Sequence, residues 1–154
     1  MREILFRGRV INTYDERIGK WIFGHLVVRP DHEDGPDKYF ICESGYRFIR
    51  CLNKMPCTYE VDPDTVGQYT GLINKYGEWI FEGDIIKAKI EDVRSNHAGF
   101  EWPKMQVDFM EGGFCLIDAV GRKFAMLGAF APSVTFEVIG NIHDNPELIA
   151  EVEG

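Results

Sequence analysis

With 154 residues, 45% of them hydrophobic and 13% aromatic, the chain can bury a core of its own and is not a disordered polypeptide. A formal charge of −8, from 25 acidic and 17 basic side chains, repels phosphate backbones and anionic lipid at long range, so nucleic-acid binding requires a local basic patch. No apolar run reaches the length of a membrane span, and charge breaks the opening Met1-Arg2-Glu3-Ile4-Leu5-Phe6-Arg7 before a signal-peptide core can form, so a cytoplasmic location with no membrane partner is expected.

Glu3 to Val10 alternates with a period of two and predicts a strand. Lys20 to Val28 alternates again, setting Trp21, Phe23 and Val27 opposite Ile22, Leu26 and Val28, and makes a hairpin with a long polar tip. Residues 29–37 hold two prolines, a glycine and four acidic side chains, the composition of a solvated loop. Tyr39–Cys42 and Tyr46–Cys51 flank Glu43-Ser44-Gly45 as a second hairpin, and Tyr59–Val61 is a short strand stopped by Asp62-Pro63.

Val66–Leu72 leads to a turn at Asn74-Lys75-Tyr76-Gly77, then to Glu78–Phe81, and Glu82-Gly83-Asp84 introduces the strand Ile85–Ile90. Glu91–Pro103 reads as a long loop. Gln106–Met110 and Phe114–Ile117 straddle Glu111-Gly112-Gly113 as a hairpin, and Thr135–Ile142 is the last strand. Asn145, with Pro146 and Glu147 behind it, is placed to cap a short terminal helix carrying Leu148, Ile149 and Val152. Residues 19–24 and 77–82 echo each other, each a turn glycine entering an aromatic strand, which two independent hairpins explain without a duplicated unit.

Chemistry is sparse. Cys42, Cys51, Cys57 and Cys115 are irregularly spaced and read as reduced thiols, buried except for Cys57 beside Pro56. Histidines at 25, 32, 97 and 143 stand far apart and no Cys-x-x-Cys occurs, so no zinc site is expected. Glu82 and Asp84 could share a strand face and hold a divalent cation, but Gly83 between them equally makes an ordinary turn. Ser44, Ser95 and Ser133 lie in no nucleophile motif, and His97 reads as a solvated loop residue rather than a general base. Arg2, Arg7, Arg9, Arg17 and Lys20, with Arg47, Arg50 and Lys54, could form a basic patch. Trp21, Phe23, Trp79 and Phe81 could stack on bases, although their strand positions read first as core.

The run from Tyr59 through Gln68-Tyr69-Thr70-Gly71-Leu72, followed by Asn74-Lys75-Tyr76-Gly77 and Ile80-Phe81-Glu82-Gly83-Asp84-Ile85-Ile86-Lys87, resembles the signature of the YopX family. Phe6-Arg7-Gly8 with Trp21-Ile22-Phe23-Gly24 resembles the family's opening, and the stretch 137–148 its closing, so the resemblance spans nearly the whole chain. It implies an origin in a bacteriophage or prophage and a bacterial cytoplasm, and it transfers no catalytic, cofactor or metal residues. Gln68, Tyr69, Thr70, Gly71, Glu82, Gly83 and Asp84 therefore enter as a family mark read as structural, because looped polar side chains usually bond backbone groups.

The expected fold is mainly β, several antiparallel hairpins forming small SH3-like or barrel-like sheets with a short C-terminal helix. One domain over 1–154 is expected, with an N-terminal sub-lobe at 1–57 and a barrel-like part at 58–154. The expected function is that of a non-enzymatic accessory protein, without cofactor, binding a host or phage protein and forming a homo-oligomer. A nucleic-acid-associated barrel is the alternative, and a metal-dependent enzyme the weaker one.

Overall fold

The computed structural model describes residues 3–31, 33–43 and 58–150. Two compact units, Met1–Tyr69 and Thr70–Gly154, succeed one another along the chain. Both are antiparallel β, built from hairpins as the alternating patterns predict, and the one α-helix among the described residues is the short terminal α1 (Glu147–Ala150).

In the first unit β1 (Phe6–Arg9), β2 (Trp21–Arg29), β3 (Lys38–Glu43) and β4 (Thr58–Val61) pair in the order β4-β3-β2-β1, and the start of β5 (Gly67–Ile73) adds beside β1. The second arm expected for a hairpin after β3, Tyr46–Cys51, lies outside the described residues. One face is the core. Val10, Ile22, Ile41 and Val61 are buried there, with Phe6, Leu26, Tyr39, Tyr59 and Val66 packed around them. The sheet curls until the end of β1 returns to β4: Val10 bridges Val61, Ile11 N–H donates to the Glu60 carbonyl and Asp62 N–H to that of Arg9, both at 2.9 Å. This single bridge bends the sheet toward a barrel, and no closed barrel is present among the described residues.

The curl needs room at Gly8, where a Cβ would stand 2.9 Å from Val61 Cβ and 3.1 Å from Ile41 Cδ1. Gly8→Ala is accordingly expected to cost about 1–3 kcal/mol through overpacking. Chemical denaturation would read the loss, and an unchanged midpoint would show that the wall can give way.

In the second unit the end of β5 pairs with β6 (Trp79–Phe81), and a five-stranded sheet follows in the order β10-β9-β8-β7-β11. Its strands are β7 (Asp84–Ile90), β8 (Met105–Met110), β9 (Gly113–Ile117), β10 (Lys123–Met126) and β11 (Val134–Asn141). The β8–β9 turn is the two-residue Glu111-Gly112, with φ of 54° and 82°, the left-handed pair that matches strand twist in a tight hairpin. Ile80, Ile86, Met105, Val107, Leu116 and Leu127 form the core. Edge-to-face rings running Phe100, Trp102, Phe130, Phe136, with centroids 4.9–5.4 Å apart, wall it on one side.

Within the second unit, two local features differ from the sequence reading. Strand β10 was not predicted: Lys123–Met126 runs into Leu127-Gly128-Ala129-Phe130-Ala131-Pro132, where apolar residues lose any period of two. The signal was in the turn, since the Asp118 carboxylate accepts the N–H groups of Val120 and Arg122 and Gly121 sits at φ 81°. Asn145, expected to cap the helix, instead turns its side-chain oxygen back to the Asn141 N–H at 3.3 Å.

Candidate partner-binding hairpin

The expected signature concentrates on the β5–β6 hairpin and the turn that follows it. Gln68 and Tyr69 are half-buried in β5, Gln68 opposite Phe6 and Tyr69 donating its N–H to the Leu5 carbonyl at 2.8 Å. Thr70 is buried, its hydroxyl donating to the Ile80 carbonyl at 2.8 Å and accepting the Leu72 N–H at 3.2 Å. Gly71, between them, has φ 86° and kinks the strand, so the hydroxyl takes over backbone bonds that the kink disturbs.

Asn74 organises the turn. Its Oδ1 accepts the N–H groups of Tyr76 and Glu78, each at 2.9 Å, its Nδ2 donates to Glu78 Oε1, and Gly77 closes the turn at φ 81°. After β6, Gly83 at φ 91° reverses the chain, and Asp84, only 1% exposed, accepts the Phe81 N–H on Oδ2 at 2.8 Å. Thr70, Asn74 and Asp84 thus spend buried polar groups on backbone, which makes the hairpin a rigid platform.

On that platform stand exposed apolar side chains: Leu72 at 36%, Ile73 at 55%, Tyr76 at 65% and Trp79 at 42%. Trp79 and Phe23, expected as core, are exposed over about two fifths of their surface, at 42% and 40%, whereas Phe81 is buried and Trp21 half-buried. A strand's period of two assigns side chains to alternate faces without saying which face is covered. The hairpin is anchored by Lys75, whose N–H donates to the Phe136 carbonyl and whose ammonium lies 3.2 Å from Glu91 and 3.7 Å from Glu137. The hydrogen bond to Glu91 holds the Lys75 pKa above the ordinary lysine value.

Elsewhere the expected chemistry is dispersed. Arg7 and Arg9 both stack on Trp21, at 4.8 and 5.1 Å from its ring centre, and Arg7 is only 7% exposed. Arg17 pairs with Glu43, Lys20 is exposed, and Arg2, Arg47, Arg50 and Lys54 lie outside the described residues. Cys115 is buried, and burial raises its thiol pKa; Cys42 is half-buried, while Cys51 and Cys57 lie outside the described residues. His97 is exposed in its loop. Among the described residues no three His, Cys, Asp or Glu side chains converge as metal ligands, and no helix is long and apolar enough to cross a membrane. On the solvent face of the β7–β11 pair, Lys75, Lys87, Lys89, Glu91, Glu101, Thr135 and Glu137 line a small cleft, which the sequence had not marked.

A family model described as YopX protein matches residues 36–150. Among solved structures, the crystal structure of protein EF1440 from Enterococcus faecalis is 23% identical, with 96% of this chain and 98% of that chain covered at a TM-score of 0.41. No curated protein matches the chain.

Proposed function

The chain belongs to the YopX family, and we propose that it is a non-enzymatic accessory protein that binds a protein partner through the β5–β6 hairpin. The observation that carries this reading is the exposure of Leu72 and Ile73 in β5, Tyr76 in the turn and Trp79 in β6, on a hairpin whose own polar groups are tied to backbone. Aromatic side chains on a rigid support give contact area at little entropic cost, and clusters of this kind supply the anchors of protein interfaces. The −8 charge disfavours nucleic acid and adds long-range preference for a basic partner. The setting we infer is the cytoplasm of a bacterium carrying the encoding phage or prophage, with a host or phage protein as partner and a second copy of the chain as the competing occupant.

Affinity capture from host lysate, with and without nuclease, tests the reading. A stoichiometric protein is expected that survives nuclease and is lost from Trp79→Ala, whose affinity should fall at least about 30-fold, the effect of an interface anchor. Trp79 is exposed, so the variant should keep the wild-type circular dichroism. Retention that nuclease abolishes, or capture indifferent to Trp79→Ala, would sink it.

A further inference from the structure

The cleft between β7, β11 and the β5–β6 turn is assembled from three lysines and three glutamates, and its charges are unevenly matched. Glu91 and Glu137 both approach the Lys75 ammonium, and Glu101 lies 4.0 Å from that of Lys89. Glu137 faces Lys87 directly across the ladder, yet its carboxylate is turned to Lys75, and the Lys87 ammonium makes no ion pair or hydrogen bond among the described residues. Lys87 is half-buried, so its aliphatic stem packs along the strand while its ammonium stands at the cleft.

Two rungs along, on the same face, Thr135 stands opposite Lys89, and its hydroxyl reaches the Lys89 carbonyl only at 3.5 Å, the outer limit of a hydrogen bond. That hydroxyl can turn to donate to an incoming acceptor. The cleft holds about 70 Å³, room for about two waters or one small oxyanion and too little for a nucleotide.

We propose that this cleft binds a single oxyanion, with the Lys87 ammonium as its main counter-charge and the Thr135 hydroxyl as a second donor. Phosphate and carboxylate share this chemistry: each offers oxygens that can accept from an ammonium and from a hydroxyl lining one cleft. The proposal rests on Lys87 and Thr135 of β7 and β11 and not on the exposed hairpin residues, although Lys75 of the hairpin lines the same cleft.

The test titrates the full chain separately with inorganic phosphate and with acetate, at ionic strength held constant with sodium chloride, and follows the amides by NMR. Saturable shifts centred on Lys87, Lys89 and Thr135 are expected, with affinity at least about tenfold lower in Lys87→Met. Glu137→Gln removes a competing carboxylate and should tighten binding about fivefold, while Lys38→Met, in the other unit, should change nothing. Saturation by phosphate alone or by acetate alone supports the site and names the source of the oxyanion. Shifts that never saturate, that sodium chloride reproduces, that survive Lys87→Met, or that weaken in Glu137→Gln overturn it.

Discussion

Leu116→Ala is expected to lower the unfolding free energy by about 2–5 kcal/mol, the cost of cutting a large aliphatic side chain from a core that cannot close around the gap. Leu116 is fully buried in β9, with Val107 of β8 opposite on one side and Ala125 of β10 on the other. Backbone ladders hold both neighbours in register, so neither strand can move in to fill the space without breaking pairing. Urea unfolding followed by tryptophan fluorescence suits the test, because Trp102 packs against the same cluster. A lower midpoint at unchanged slope is the expected signature. Phe124→Ala, on an exposed position of β10, should fall within about 0.5 kcal/mol of wild type. Equal losses at the two sites would refute this account of the core.

Asp84→Ala is expected to cost about 2–3 kcal/mol, because it leaves the buried Phe81 N–H without its carboxyl acceptor. The damage should be local in origin: the Glu82-Gly83 turn, held by that bond and by Gly83 N–H donating to the Val107 carbonyl, sets the start of β7. Asp84→Asn retains a carbonyl oxygen where Oδ2 now sits, so its loss should be clearly smaller. If alanine and asparagine destabilise equally, the hydrogen bond is not what the carboxylate contributes. Hydrogen exchange at the Phe81 amide gives an independent readout, with faster exchange expected in the alanine variant and near-native protection in the asparagine one.

How far the fold was legible can be seen element by element. Glu111-Gly112-Gly113 between two alternating runs announces the β8–β9 hairpin, and Asn74-Lys75-Tyr76-Gly77 announces the β5–β6 turn, because turn chemistry is decided by residues a few positions apart. The next hairpin was missed because its second strand, Lys123–Met126, is too short and too poorly alternating to stand out from the apolar residues behind it. For the candidate site, the polar members Thr70 and Asp84 are visible as types suited to bonding backbone. The exposure of Ile73, Tyr76 and Trp79, which makes the hairpin a surface at all, is not visible.

The sequence by itself determined the strand periods, the turns and the acidic balance, all of which follow from local backbone geometry and from composition. Only the tertiary structure decided that Trp79 and Phe23 lie exposed while Arg7 is buried against Trp21. It alone returned Val10 to Val61 and brought Lys75, Glu91 and Glu137 together from three separate segments. The reason is physical: which residues share a face is a property of one strand, but whether that face meets water depends on what distant parts of the chain lay against it.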